Sequence, residues 1–565
     1  MLRGTEPAHF VSAKGALDPM SIIQRLRANP WVVLVVLCLG LFMALLDTTI
    51  VNVAVPSIIE GIDASFDEIL WVLNAYVLVF AALLITSGRL GDIFGPKRLF
   101  LAGMALFTVA SAFCGLAQDP TQLIIARALQ GVGGALMSPQ PMAIITSIFP
   151  PERRGAALAI PGILGGLAVA AGPIVGGFLI TNFGWPSIFY VNVPVGMVAL
   201  TLAALVVPDI RPGRRHRLDM MGVLLATAGV LGITFGLIEG ERYNWEGVFS
   251  FITIPQIIGA GVLLMLVFLA TQYLRQDREP LLPFELFKDR NYSLMTLVAA
   301  AMGFAMLGLF LPLTIYLQSV LGLSALQAGL TVLPQALVMM FVAGPAGSLS
   351  DRVGGKYVLV VGLALFAASM GYLDWTAQAD SGRWSFLPAL ILMGVGLGLT
   401  WAPMYSLAMR DVEPRIAGAA AGVIETIQEL GGVIAGAVVG AYLQNRLAVA
   451  LREQAIERAE GLPPQFRDRF VDGFSVTAED GLEVGGRQTA GGAQLPQQVQ
   501  QLAEEVFRSG FVEAMHPTLA IPTAIVLLAA ISSLAVQRRK GKARADEAEQ
   551  QPEEVVARET AVRGR

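Results

Sequence analysis

Long apolar runs separated by short polar stretches set the pattern of this chain. Runs able to cross about 30 Å of hydrocarbon begin near Trp31, Leu70, Leu99, Gln122, Gly155, Ser187, Met220, Phe251, Tyr292, Leu326, Tyr357, Phe386, Ile416 and Pro517. The pattern therefore predicts fourteen membrane helices. Gly and Pro interrupt many of them, which membrane helices tolerate where neighbours satisfy the freed backbone groups. The predicted class is an all-α polytopic membrane protein. Composition agrees: 55% of the 565 residues are hydrophobic and 15% are charged, against about a quarter charged in a soluble domain.

One polar stretch occurs twice. GRLGDIFGPKR, Gly88 to Arg98, returns as GSLSDRVGGK, Gly347 to Lys356, pairing Gly88 with Gly347, Asp92 with Asp351, Gly95 with Gly354 and Lys97 with Lys356 at one offset. An internal repeat in such a chain implies a transporter built from two related halves, with the solute crossing at their interface. The copies follow the second and tenth runs, so eight spans separate them. Two six-helix halves with an extra pair inserted between them account for that spacing. The expected divisions are an N-terminal segment (1–30), a six-helix half (31–207), a basic loop with the inserted pair (208–274), five helices of the second half (275–443), a long polar loop (444–516), a last membrane helix (517–536) and a tail (537–565). The loop is expected to be a partly disordered insertion with an amphipathic helix near Leu495–Phe511; a lid or partner surface is the alternative. GVGGALMSP, Gly131 to Pro139, has a fainter echo in GVGLGLTWAP, Gly394 to Pro403. Glycine-rich runs are common in membrane helices, so the echo carries little weight by itself.

Charge sets the expected orientation. The N-terminal segment and the loops on its side hold 21 Lys and Arg, against two, Arg242 and Arg383, in the opposite short loops. The positive-inside bias places both termini in the cytoplasm of a cell bounded by this inner or plasma membrane. No removable signal peptide is predicted. Cys38 and Cys114 both lie in apolar runs and offer no disulfide framework. Net charge is −4, which argues neither for nor against nucleic acid; no nucleic-acid partner is expected. There is no GxxxxGK[ST] loop for an ATP motor and no TVGYG filter. No metal site or cofactor is expected.

Charges within the spans are few, and such charges mark ion or substrate paths. Asp47 lies in LDTTIVNVAVP, Glu425 and Glu429 in IETIQELGG, and Arg127 in LIIARALQGVGGA. Helical spacing puts Glu425, Gln428, Glu429, Gly432, Gly436 and Gly440 on one face, with the glycines as a close-packing stripe. Arg127 needs a buried partner. Glu239 and Asp374 fall at outer helix ends, where water can solvate them. The three histidines lie outside the spans, so carboxylates must carry any protons. Ala168, Gly172 and Gly176 line one face of a helix that Pro173 would bend, a seam for helices that rock. Aromatic residues such as Trp71, Tyr76, Phe80, Trp401 and Tyr405 suit a pocket for flat organic cations.

Taken together, these segments resemble the major facilitator superfamily, and specifically its fourteen-helix drug:proton antiporter branch, the QacA/EmrB-like multidrug efflux transporters. GRLGDIFGPKR resembles the loop signature after helix two, LDTTIVNVAVP the helix-one motif, RALQGVGGA the helix-four motif, GLAVAAGPIVGG the helix-five antiporter motif, and WPSIFYVNVPVG a further branch segment. The resemblance implies a proton or cation contact at Asp47, an intramembrane arginine coupled to proton movement at Arg127, and a loop lock formed by Gly88, Asp92, Gly95, Lys97 and Arg98. It also implies an antiporter helix motif at Gly166, Gly172, Pro173 and Gly176. Two loop positions that are often arginine are Ile93 and Pro96 here, so Asp92 is expected to act through Lys97, Arg98 or a helix-end contact. A helix-thirteen segment that usually reads NTxRQLGG is ETIQELGG, which favours cationic substrates or extra proton sites at Glu425 and Glu429.

The expectation is a monomeric secondary transporter, not an enzyme, exporting amphipathic cationic drugs or toxic organic compounds by alternating access. The proton gradient supplies the energy, and the partners are small organic substrates, protons and membrane lipid. Export of a lipid or an endogenous metabolite, or a non-transporting sensor, remains open, as does any adaptor protein.

Overall fold

The computed structural model describes residues 29–537, apart from 151–152, 211–218, 241, 244, 250–251, 277–279 and most of 460–496. The N-terminal segment, the tail, the basic stretch after Ile210 and the middle of the expected 444–516 loop lie outside the described residues.

Local chemistry sets the helix ends. In α1 (Pro30–Ile62) the Asn29 side chain accepts the Trp31 N–H at 3.0 Å, and Pro30 occupies the first turn. α2 (Phe66–Phe94) opens on a Ser65–Glu68 capping box. It stops at Gly95, whose φ of 95° suits a residue without Cβ, and Pro96 begins α3 (Pro96–Leu116). Asp119 caps α4 (Pro120–Met137), which is followed by α5 (Gln140–Ile148), α6 (Arg154–Phe183), the one-turn α7 (Ser187–Tyr190) and α8 (Asn192–Val206). α9 (Met220–Glu239) and α10 (Ile254–Leu274) are joined through a minimal antiparallel pair, β1 (Gly247–Phe249) and β2 (Ile252–Thr253). The short α11 (Glu285–Lys288) leads into α12 (Arg290–Ile315), α13 (Ala325–Val353), α14 (Lys356–Thr376), α15 (Leu387–Ala408), α16 (Ala417–Ala459) and α17 (Gln497–Ser533).

Twelve helices among the described residues are long and apolar enough to cross a membrane. The other two expected spans fall on α4 with α5, and on α6. α4 carries Arg127 and Gln130 and breaks after Met137, which lowers its hydropathy, yet it packs between α2 and α3. α6 packs against α1 and α13, one in each half.

The repeat is visible in backbone detail. Gly354, the counterpart of Gly95, also takes a positive φ, of 94°, at the α13–α14 junction. A Cβ on Gly131 would lie 2.7 Å from the Tyr76 carbonyl, and one on Gly394 would lie 2.5 Å from the Gln335 carbonyl. A Cβ on Gly133 would meet the Phe107 amide nitrogen at 2.5 Å, and one on Gly396 the Phe366 amide nitrogen at 2.6 Å. Tyr76 and Gln335, like Phe107 and Phe366, stand at the offset that relates Gly88 to Gly347. The faint GVGG–GVGL echo is therefore a matched pair of helix contacts, and merits more weight than its composition suggests.

The expected loop at 444–516 is corrected at both ends. α16 continues to Ala459, and α17 begins at Gln497, before the expected start of the last span at Pro517. At a rise of about 1.5 Å per residue, the 43 residues of α16 reach well beyond the hydrocarbon. Polar residues lower the mean hydropathy there, but Leu443, Leu447, Leu451 and Ala455 keep a buried stripe at steps of four. The stripe packs with Ala503, Val506, Phe507 and Phe511 of α17 in the main apolar cluster. Arg458 bonds Ser509 at 2.9 Å across the same pair.

The inserted pair lies against the place where the halves meet. α9 runs along α2 through Trp71–Phe235 (ring centroids 5.8 Å apart) and through Val230 against Ala81 and Ala82. Towards one end, Ala226 of α9 and Phe268 of α10 share a cluster with Ile85 of α2 and Val423 of α16. Glu239, expected in water, is 1% exposed. It accepts from Asn74 of α2 at 3.2 Å and pairs with Arg242 at 3.0 Å. Packing on α2 closes this helix end, which hydropathy alone leaves open.

The glycine contacts generate a stability prediction. Gly133→Val and Gly396→Val press a side chain into neighbouring backbone and should each cost about 1–3 kcal/mol. Gly259→Val points where no atom lies within 4 Å and should change stability by less than about 0.5 kcal/mol. Thermal unfolding in detergent, followed by a dye that reacts as buried Cys38 and Cys114 become exposed, distinguishes the two classes.

Candidate functional site

The centre of the first half holds a buried charge pair. Asp47 is 0% and Arg127 2% exposed, and Arg127 Nη1 lies 2.5 Å from Asp47 Oδ2. α1 supplies the carboxylate and α4 the guanidinium, so the pair joins two helices far apart in sequence. Arg127 Nη1 also donates to Gln130 Oε1 at 2.7 Å, and Arg127 Nε to the Val72 carbonyl at 3.3 Å. Its guanidinium carbon stands 4.4 Å from the centre of the Tyr76 ring. Asp47 Oδ1 accepts from Gln130 Nε2 and from Asn192 Nδ2, each at 2.9 Å. Asn192 Nδ2 also donates to Ser111 Oγ at 3.1 Å, and Ser111 donates to the Phe189 carbonyl at 2.9 Å. Both charges are thus compensated by bonds and by one another, the condition for keeping ions in a poorly solvated interior. Asp47 and Arg127 were legible from sequence, and Gln130, one turn from Arg127, shares its helix face. Asn192, Ser111 and Tyr76 were not identified as partners; an Asn in an apolar helix, within the segment WPSIFYVNVPVG, was a signal for the first.

Of the contacts expected for Asp92, the structure shows the one to a helix end. Asp92 accepts from the backbone N–H groups of Gly418 at 2.8 Å and Ala419 at 2.9 Å. Those N–H groups belong to the first turn of α16, where unsatisfied donors and the helix dipole favour an anion. Gly88 and Gly418 bring the two backbones together: a Cβ on Gly88 would lie 2.2 Å from the Gly418 carbonyl oxygen, and one on Gly422 2.7 Å from that of Leu84. Gly95 forms the α2–α3 turn. Lys97 donates to the carbonyls of Ala204 at 2.8 Å and Val207 at 2.6 Å, at the C-terminal end of α8. Arg98 is exposed. A helix N-terminus of the other half thus donates to Asp92, with Arg89 buried one turn away on α2. Gln140 braces this end by donating to the Ser87 carbonyl at 3.0 Å.

The acidic pair lies on α16. Glu425 and Glu429 are each half-buried. Glu425 Oε2 is buried with no hydrogen-bond partner, while Ser138, at the end of α4, interacts with the same carboxyl group. Tyr405 of α15 donates to Gln428 Oε1 at 3.1 Å and stacks with Trp401 at 6.1 Å between centroids. Tyr76, which covers Arg127, also lies within electrostatic range of Glu429. The expected stripe Gly432, Gly436 and Gly440 is not the tightest contact. Gly431 takes that place, since its Cβ would lie 2.3 Å from the Ala300 carbonyl of α12, whereas Gly440 meets nothing within 4 Å.

α6 carries the motif expected of an antiporter helix. A Cβ on Gly172 would lie 2.3 Å from Thr49 Oγ1, and one on Gly176 2.8 Å from Ile50 Cγ1. Thr49 Oγ1 donates to the Ala168 carbonyl at 3.1 Å, so this face packs α6 against α1 two residues from Asp47. Gly166 and Pro173 fall on α6, but their surroundings lie outside the described residues. Asp374, expected in water, pairs with His516 Nδ1 of α17 at 2.9 Å. Among the described residues, no three His, Cys, Asp or Glu come together as a metal site.

The family profile described as the Major Facilitator Superfamily matches residues 37–436. An uncharacterised MFS-type transporter of Mycobacterium tuberculosis is 39% identical over 75% of this chain and 72% of its own. The tetracenomycin C resistance and export protein of Streptomyces glaucescens is 32% identical, over 92% of this chain and 94% of its own. Among solved structures, the human organic anion transporter MFSD10 superposes with a TM-score of 0.55 at 13% identity, over 87% of this chain and 98% of its own, a likeness of fold. The repeated halves, the buried charges and the profile match agree: this multi-pass membrane protein is a transporter rather than an enzyme, and it belongs to the major facilitator superfamily.

Proposed function

We propose that the chain is a proton-coupled antiporter of the fourteen-helix drug:proton branch, exporting amphipathic cationic organic compounds across the cell membrane. The observation that carries this reading is the buried Asp47–Arg127 pair, together with a second acidic site that has an unpartnered oxygen. The relative named for tetracenomycin C resistance and export supports an export role. In this reading the protein works as a monomer with both termini in the cytoplasm, and the proton gradient is its energy source.

Asp47 carries the proton. Ionised, it answers Arg127; protonated, it no longer balances that charge, and the guanidinium is released toward other partners. Glu425 and Glu429 bind the organic cation, flanked by the Trp401–Tyr405 and Tyr76–Phe80 ring pairs. The positive-inside bias assigns the Asp92–α16 contact to the cytoplasmic side, so its closure corresponds to an outward-facing state. Turning inward requires Asp92 to leave the N–H groups of Gly418 and Ala419. α9 and α10 then travel with α2, to which Glu239 and Phe235 hold them, and part from Val423.

Two experiments test this reading. In proteoliposomes with an imposed pH gradient and ethidium as the probe cation, Asp47→Asn should cut gradient-driven accumulation roughly tenfold or more, because an amide cannot cycle a proton. Downhill equilibration of ethidium should persist; undiminished gradient-driven flux removes Asp47 from coupling. For the lock, spin labels at the exposed positions 94 and 415 report the separation of α2 from the start of α16. Asp92→Ala should raise the long-distance population about tenfold, the scale of losing charge-assisted hydrogen bonds. An unchanged distance distribution removes Asp92 as the lock.

A further inference from the structure

Around Asp47, every hydrogen-bonding neighbour now donates: Arg127 Nη1 to Oδ2, and Gln130 Nε2 and Asn192 Nδ2 to Oδ1. That arrangement suits only the ionised acid. A protonated Asp47 has a hydrogen to give and needs an acceptor. Arg127 cannot accept, and Gln130 Oε1 is already taken by Arg127 Nη1 at 2.7 Å. Asn192 remains. Its amide can turn over and present Oδ1 in place of Nδ2. Its other neighbour allows the turn, because Ser111 Oγ accepts from Asn192 and donates to the Phe189 carbonyl. A hydroxyl rotates freely, so it can instead donate to Asn192 Oδ1. Asn192 is 2% and Ser111 0% exposed, so no bulk water competes for these bonds in this state.

We propose that Asn192 is a positioning residue for proton carriage, donating to the ionised Asp47 and, with its amide turned over, accepting from the protonated one. The inference rests on the reading of Asp47 as the proton carrier and assigns the sixth expected span, α8, a part in coupling. The titratable and charged groups facing Asp47 are Arg127 from α4, Tyr76 from α2 and Cys114 from α3, with Glu429 of α16 reaching it through Tyr76. α8 contains no titratable residue, and α6 only Arg154 at its start. Losing Asn192 removes one bond from each protonation state. The bond to the charged form is roughly twice as strong as the neutral one, so the ionised state loses more.

The experiment is pH-titrated infrared difference spectroscopy of the purified full chain, following the protonated-carboxyl band that Asp47→Asn abolishes. Asn192→Ala should move the midpoint of that band to higher pH by roughly one unit, a tenfold change in proton affinity. Asn192→Leu, which keeps the branched shape and removes the amide, should move it equally and serves if the smaller side chain impairs folding. Tyr190→Phe breaks the nearby bond from Tyr190 Oη to the Gly115 carbonyl without touching Asp47 and should leave the midpoint in place. A midpoint unmoved in both Asn192 variants, or moved equally by Tyr190→Phe, overturns the inference and leaves the role of Asp47 standing. A wild-type spectrum with no band assignable to Asp47 across the titration overturns the proton-carrier reading and this inference with it.

Discussion

A charge taken into a membrane must be answered there, and the architecture of the first half depends on how Asp47 and Arg127 answer one another. Either one alone would be a severe cost in a dry interior. Together they set which helices must touch: α1 brings the acid, α4 the base, and α8 the amide that holds the acid from its far side. Small residues make those approaches possible. Gly131 lets α4 lie on the carbonyl of Tyr76, placing Arg127 against the same tyrosine's ring. Gly172 lets α6 close on Thr49, two residues from the acid. Packing and electrostatics are therefore one constraint.

The second half repeats the packing without the charges. Gly394 and Gly396 meet Gln335 and Phe366 as their counterparts meet Tyr76 and Phe107. Where the first half has Tyr76 beside its arginine, the second has the uncharged Gln335. Charge in that half moves to α16, as Glu425 and Glu429. The helix also contributes its first-turn N–H groups to Asp92 of the other half. One element thus carries an acidic site and half of a gate, so parting α2 from α16 disturbs both.

Much of this was legible in the sequence, and the exceptions have physical causes. Asp47 and Arg127 stand out because charges in apolar runs are rare. The loop repeat predicted the halves, and positive φ at Gly95 and Gly354 is its structural counterpart. Lys97 and Arg98 are near Asp92 in sequence, but the donors to its carboxylate come from a helix N-terminus distant in sequence, which no local pattern singles out among the possible partners. The extension of α16 escaped notice because its Gln, Asn, Arg and Glu residues lower the average hydropathy while the stripe at Leu447, Leu451 and Ala455 stays buried. Asn192 carries no charge, so its importance appears only when the acid it faces is placed in three dimensions.

The account assigns different work to two acidic sites: Asp47, satisfied by donors, takes the proton, and Glu425 with Glu429, one oxygen unpartnered, takes the organic cation. Two carboxylates one turn apart cannot easily both stay ionised in a poorly solvated space, so a bound cation should displace protons held there. The most direct measurement is proton release recorded with a pH dye in weakly buffered detergent as ethidium and a matched dication are titrated onto the protein. The account predicts release from wild type, greater for the dication, and less from Glu425→Gln and Glu429→Gln. Cation binding without proton release, with both variants behaving as wild type, would contradict it.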